Sequence, residues 1–379
     1  MKIVVVSWRD LANPLAGGSE VVVDRLLLEL SRLGHEVALV CGGPVGPRPY
    51  PVVEAGGTFT QYILAPFKVS SRFRNWDILI DVENGIPYFS PVWWHKPRVC
   101  LVHHVHTDQW RTRFGPVMSL VGKLLESKMM PLAYRKQRFI AISNSTKKAL
   151  LGLGIKDNAI EVIHSGIDVA KDQIGIDQQI QGHSWQSWRD SKADRPLYVC
   201  IGRLVPHKRV ELILAAWDRV KEIIDGELWV LGDGPERARL ESYAGERVRF
   251  MGKVSWEERN SILQQAWLLV HGAHHEGWGL VIIEAASFST PCLAFDAEGV
   301  SEAIVEGQTG ILARSQTEFE NKWIEIAGNI EGLASLGHEA YLRSLEFTWE
   351  STASKFESLL LEICNQTLPN VNQRTKKRA

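Results

Sequence analysis

Apolar positions along the chain follow two alternating patterns. Short, nearly continuous apolar runs begin at Lys2 (KIVVVSW), His35 (HEVALVCG), Asp77 (DILIDV), Arg98 (RVCLVHH) and Arg138 (RFIAIS). Such runs predict strands buried on both faces. Between the first two lies SEVVVDRLLLELSRLG, whose apolar residues recur at helical spacing and which ends on Gly34, a natural C-cap. Strands of this kind interleaved with helices predict a parallel sheet covered on both sides. The pattern stops from Val169 to Pro196, a stretch rich in Gln, Asp and Ser, and then restarts. The second series is PLYVCIGRL, GELWVLGDG, RVRFMGKV, WLLVHGA, PCLAFDA and GILA. The expected fold is therefore α/β, with two doubly wound Rossmann-like domains facing across a cleft. The predicted boundaries are 1–168, a linker at 169–196, a second domain at 197–345, a C-terminal helix at 346–365 and a basic tail at 366–379.

Length and composition narrow the picture. The 379 residues leave room for two domains. The chain is 45% hydrophobic and 23% charged, with a net charge of −1, so there is no electrostatic case for nucleic acid as a partner. Cys41, Cys100, Cys200, Cys292 and Cys364 show no metal or redox spacing, and predict free thiols in a reducing compartment. No apolar run has the roughly 18 residues needed to cross a bilayer. The first residues lead straight into a strand rather than a signal peptide. The expected location is cytoplasmic. One segment, 110–138, mixes Arg and Lys with large apolar residues. It fits either an amphipathic helix packed on its sheet or a peripheral contact with the inner face of a membrane.

In open parallel sheets ligands bind beyond the carboxyl ends of the strands, so chemistry is sought there. The stretch HHEGWGLVIIEAASFSTP, His274 to Pro291, holds Glu276 and Glu284 on either side of the turn Gly277, Trp278, Gly279 and Leu280. A helix opening near Gly279 would point free N–H groups and its positive dipole end at an anion. Glu284 sits among apolar neighbours, where an ionised carboxylate needs partners. A ribose diol would serve, and Glu276 could hold a sugar hydroxyl. The plain alternative is a structural first-turn acid and a surface acid. GRLVPHKR, Gly202 to Arg209, places Arg203 and Lys208 after a strand, where their charges suit a diphosphate. Two solvated loop cations are the alternative. LAGGSE brings Gly17 and Gly18 to the start of a helix, but the dinucleotide-binding fingerprint is missing. LGDGPE has only two of its glycines.

CLVHHVHTDQW carries His103, His104 and His106, followed by Trp110. His103 and His106 could share a metal, but no acid or cysteine completes a zinc pattern. Strand alternation sends His103 and His104 to opposite faces, leaving one histidine for the site. There is no Asp-x-Asp pair of the kind that holds a cation for a nucleotide-sugar enzyme. Diphosphate charge then falls to Arg203, Lys208 and helix N-termini, with no metal and no cofactor expected. Of the fourteen tryptophans only Trp110 and Trp278 stand where a ligand is expected.

Taken together, EGWGLVIIE, GRLVPHK, LGDGPE, VIHSGID and GVSEAIVEGQTGIL resemble the motifs of the retaining glycosyltransferases of family four, which have the GT-B fold. The resemblance runs from the first strand to about residue 312, and EGWGLVIIE is similar to that family's Glu-x7-Glu signature. It implies transfer of a sugar from a UDP-, GDP- or ADP-linked donor to a glycan, lipid-linked or small-molecule hydroxyl, with retention and without a metal. It implies an acceptor-side N-terminal domain, a donor-binding C-terminal domain and a C-terminal helix, 346–365, that crosses back onto the first domain. By position, Arg203 and Lys208 would bind the diphosphate, Glu284 the ribose and Glu276 the donor sugar. Gly17, Gly18 and Gly277 to Leu280 would approach the phosphates, and the backbone of Gly252, Lys253 and Val254 the base. His103 would stand near the transferred sugar. Asn84, His104, His106 and Trp110 would lie on the acceptor side. A nucleotide-sugar epimerase and a non-catalytic sugar-nucleotide-binding protein are the alternatives.

Overall fold

A computed structural model describes residues 1–106, 110, 115–168 and 185–367. It divides into two units, Met1–Gly166 with Trp349–Ala379, and Ile167–Thr348. The first unit holds β1 (Lys2–Arg9), β2 (Glu36–Gly42), β3 (Val52–Glu54), β4 (Ile78–Glu83), β5 (Arg98–Val102), β6 (Arg138–Ala141) and β7 (Ile160–Val162). They form one parallel sheet in the order β3-β2-β1-β4-β5-β6-β7. The edge strands β3 and β7 were not foreseen, because three residues are too few to show a period. The strands β1, β2, β4, β5 and β6 are almost wholly buried, as their unbroken apolar runs demand.

The second unit holds β8 (Leu197–Ile201), β9 (Glu227–Leu231), β10 (Val248–Gly252), β11 (Leu268–His271), β12 (Cys292–Phe295) and β13 (Gly310–Ala313). Their order is β10-β9-β8-β11-β12-β13, again with every pair parallel. Tyr198, Trp217 and Trp323 pack ring against ring in its core, with centroids 5.3 to 5.6 Å apart. Both sheets have the doubly wound topology in which the strand order reverses beside the first strand.

One segment differs from its predicted role. Part of the expected linker, 169–196, is a packed helix instead. Residues 169–184 lie outside the described residues, whereas Trp185–Asp190 is a helix of the second unit. Trp188 is buried there and its indole donates to the Ser289 carbonyl at 2.8 Å. Two tryptophans three positions apart in a polar stretch were the available sign of a packed helix turn. At the other end, the helix Trp349–Thr367 belongs to the first unit and packs on the helix Gly18–Arg32. His35 Nε2 lies 2.8 Å from Glu357 Oε1, and Arg138 pairs with Glu362 at 3.0 Å. Residues 368–379 lie outside the described residues. Cys41, Cys100, Cys200 and Cys292 are buried free thiols, and Cys364 is free and half-buried.

Candidate active site

In the second unit two loops dock where β8 and β9 end. The N–H of Gly202 donates to Leu231 and that of Leu204 to Asp233, each at 3.0 Å, and Glu236 donates back to Leu204 at 3.1 Å. A Cβ at Gly232 would lie 1.9 Å from the Gly202 carbonyl oxygen, and one at Gly234 would lie 2.3 Å from that of Leu204. The glycines of LGDGPE therefore serve loop-to-loop packing. They seat the segment that carries Arg203. That side chain is exposed and has no hydrogen bond or ion pair among the described residues. Lys208 closes the 3-10 turn Pro206–Lys208. Arg209 follows at φ 47°, donates to the Gly272 carbonyl at 2.9 Å and lies over the Phe295 ring. Arg209 thus clamps the loop against the end of β11 and fixes where Lys208 can reach.

Lys208 forms an ion pair with Glu276 across 68 positions of sequence. His271 Nε2 stands 3.1 Å from the same carboxylate oxygen. Burial pushes the Glu276 carboxyl up. Lys208 and His271 outweigh it and hold the group well below the usual carboxylate range. The motif residues Lys208 and Glu276, expected to bind separate parts of a ligand, are thus partners in this structure. The Glu276 turn is pinned from behind. Its N–H donates to Glu298 at 3.0 Å, and its carbonyl leaves no room at Gly299, where a Cβ would be 2.0 Å away. Neither His271 nor Gly299 was singled out from sequence. Gly299 sits at φ 79°, a left-handed conformation that favours glycine.

Gly277 is half-buried and Gly279, at φ 69°, caps the helix Leu280–Ala286. Trp278 is buried, with its ring 5.0 Å from that of Phe347, so its indole face belongs to the packing of this unit. Glu284 is also buried, with Arg259 Nη1 donating to its Oε2 at 3.0 Å. Burial raises its pKa, Arg259 opposes the rise and Asp168 adds to it. The other oxygen, Oε1, takes no hydrogen bond from the described residues. Arg259 lies over Trp256, 3.9 Å from the ring centroid. Sequence reasoning passed over Arg259 because nothing local links it to Glu284. The Gly252 carbonyl accepts from Gly232 at 2.7 Å, Lys253 is exposed and Val254 half-buried.

The first unit presents a different chemistry. Gly17 is the N-cap of Gly18–Arg32 and donates to Glu20 Oε2 at 2.7 Å. Gly17 has a negative φ and only an ordinary contact beyond its Cβ, while a Cβ at Gly18 would meet open space. Neither packing nor backbone strain requires these two glycines, which leaves close approach of a ligand as a reason for them. His103 directly follows β5, 5% exposed, with a buried Nε2 that has no hydrogen-bond partner among the described residues. Burial, then His106, lower its pKa to about 4, so the ring is neutral at physiological pH. His104 is half-buried and meets His106 edge-on, with centroids 4.9 Å apart. Among the described residues no three metal-ligating side chains gather as a site.

Two buried acids complete this region, and neither was anticipated. Glu126 accepts the His106 N–H at 2.5 Å and the indole N–H of buried Trp110 at 2.8 Å. Glu83, at the end of β4, accepts the Gly85 N–H at 2.7 Å, while its buried Oε2 has no partner among the described residues. Burial, then the Glu126 charge, push the Glu83 carboxyl well above the usual carboxylate range. Asn84 beside it is half-buried and makes no hydrogen bond among the described residues. A strand-end acid inside an apolar run was the available signal.

The two units match two family models. Residues 16–171 match the model described as Glycosyltransferase Family 4, and residues 186–341 the one described as Glycosyl transferases group 1. An uncharacterized glycosyltransferase of Methanocaldococcus jannaschii is 28% identical over 40% of this chain, an alignment spanning 43% of that relative. The D-inositol 3-phosphate glycosyltransferase of Nocardia farcinica is 26% identical over 89% of this chain and 83% of its own length. A glycogen synthase of Mycobacterium tuberculosis is 30% identical over 56% of this chain and 50% of its own. Anabaena HepE, solved in complex with UDP and glucose, superposes with a TM-score of 0.73 at 16% identity, over 96% of this chain and all of that one. The sucrose-phosphate synthase of Thermosynechococcus elongatus gives 0.75 at 18% identity, over 97% of this chain and all of that one.

Proposed function

We propose that this chain, a glycosyltransferase with the GT-B fold, moves a sugar from a nucleoside-diphosphate sugar to a hydroxyl acceptor with retention of configuration. The observation that carries the reading is the meeting of Lys208 and Glu276, from motifs far apart in sequence, at strand ends of the second unit, with Arg203 on the same loop as Lys208. Arg203, without a partner among the described residues, and Lys208 bind the diphosphate. Glu276, kept ionised, accepts a hydroxyl of the sugar, and Glu284 accepts the ribose through Oε1. His103, neutral, bonds a sugar hydroxyl through Nε2. The bond from the anomeric carbon to the phosphate oxygen breaks with its electron pair going to the diphosphate. The acceptor oxygen attacks from the face that the diphosphate leaves, and its proton passes to the departing phosphate oxygen. Fixed cations beside that oxygen stabilise the transition state more than the ground state. Because side chains meet this charge, the reaction proceeds without a metal.

The acceptor is a glycan, a lipid-linked sugar or a small molecule, met by the first unit through Asn84 and the buried Glu83. HepE was solved with UDP-glucose, so UDP-glucose is the first donor to try. The test is a panel of UDP-, GDP- and ADP-sugars, read by thermal shift and then by slow donor hydrolysis in the presence of EDTA. The anomer of the transferred sugar is assigned by NMR. One donor should stabilise and hydrolyse with EDTA present, and the product should keep the donor's configuration. An isomerised sugar nucleotide made without acceptor would show an epimerase instead. Binding without turnover over a broad acceptor panel would show a binding protein.

A further inference from the structure

We propose that the outer face of Pro116–Ala133 docks on an anionic phospholipid bilayer. The segment is a helix, Pro116–Leu124, a π-helical turn, Leu125–Met129, and a last helical turn, Met130–Ala133. Its amphipathicity is inverted. The face turned into the unit carries Ser119, Gly122 and Glu126 together with Met130. The face turned to solvent carries Val117, Leu120, Val121 and Leu124 at 75, 71, 42 and 52% exposure, a helical stripe at i, i+3, i+4 and i+7. Leu132 extends it at 70%.

The inner face has its own reason to be polar and small. The Trp110 ring lies where a Cβ on Gly122 would come within 2.4 Å, and Glu126 accepts that indole's N–H at 2.8 Å. The outer stripe has no such internal reason, and contiguous exposed apolar surface marks an interaction site. Charge selects the occupant. Lys123, Lys128, Arg135 and Lys136 are all exposed, while the one acid between Pro116 and Gln137, Glu126, is fully buried. An apolar stripe flanked only by exposed cations is complementary to acyl chains beneath anionic headgroups. Among the described residues no helix is long and apolar enough to cross a membrane, so this contact would be peripheral. Docking stands apart from the donor assignment. Only its use, presenting the acceptor-side residues to a lipid-linked acceptor, rests on the proposed function.

The test is co-sedimentation of the full-length protein with vesicles of phosphatidylcholine alone or mixed with phosphatidylglycerol, at low and high salt. Leu120→Gln with Leu124→Gln removes the stripe, and Lys123→Glu with Lys128→Glu removes the charge. All four side chains are exposed, and a circular-dichroism melt confirms that the variants fold. We expect the wild type to pellet with anionic vesicles, and each double variant to bind at least tenfold less. High salt should weaken wild-type binding. Donor hydrolysis by the variants should stay at the wild-type level, separating loss of docking from loss of chemistry. No pelleting at low salt, equal binding to neutral vesicles, or unchanged binding by both variants would overturn the proposal. So would a wild-type dimer that needs Leu120 and Leu124 but binds no vesicle.

Discussion

At the residue scale, Lys208 pairs with Glu276, and Arg203 has no side-chain partner among the described residues. A hydrogen bond to a charged group contributes roughly 1.5–3 kcal/mol. Losing one that acts in the transition state should therefore slow transfer about 10- to 100-fold. Arg203→Ala and Lys208→Ala are each expected to lower kcat/KM by that much with an unchanged far-UV spectrum. Wild-type turnover in both would remove the phosphate assignment. His103 offers a pH-linked test. Its pKa is about 4 in the fold against 6.5 for the free side chain, so the unfolded chain takes the proton first as pH falls. Stability should decline between those values, by at most about 3 kcal/mol, and level off below them. His103→Asn should show less of this decline in urea titrations at pH 7 and pH 4.5. An identical decline in both proteins would mean that His103 does not carry it.

At the element scale, the site depends on loops packed at backbone contact. Gly232 combines φ 131° with a Cβ position 1.9 Å from a carbonyl oxygen, and that oxygen belongs to the residue before Arg203. Gly232→Ala must either push the two loops apart or strain them, at a cost of about 3 kcal/mol. The expected outcome is a lower melting temperature together with weaker donor binding by calorimetry, since Arg203 rides on the displaced loop. Unchanged affinity with lowered stability would mean that Arg203 does not need this seating. By contrast, Gly18→Ala meets open space in this structure. Any effect it has on turnover must then arise from crowding a ligand.

At the scale of the whole molecule, the chain leaves the first unit after Gly166 and returns to it at Trp349. The returning helix buries Trp349, Phe356, Leu359, Leu360 and Ile363. Each such side chain contributes roughly 1.5–3 kcal/mol when fully buried. A protein ending at Thr348 should therefore lose the cooperative unfolding transition of the first unit. The transition of the second unit, and its upward shift with nucleoside diphosphate, should persist in calorimetry. Retention of both transitions would show that the helix is dispensable. Loss of both would show that the units are stable only together.

Much of this protein was legible in the order of its residues. Continuous apolar runs mark central strands because burial on both faces leaves no polar positions to interrupt them, and their alternation with helices specifies two parallel sheets. Arg203, Lys208, Glu276 and Glu284 stood out as candidates because charged residues just after strands, or among apolar neighbours, need a reason. What sequence could not supply is who meets whom. The Lys208–Glu276 ion pair, Arg259 on Glu284, the buried Glu83 near Glu126 and the outward apolar stripe at Val117–Leu124 depend on elements distant along the chain. Local propensity speaks only for neighbours in sequence. Burial, and the electrostatics that burial amplifies, are decided once the chain has closed on itself.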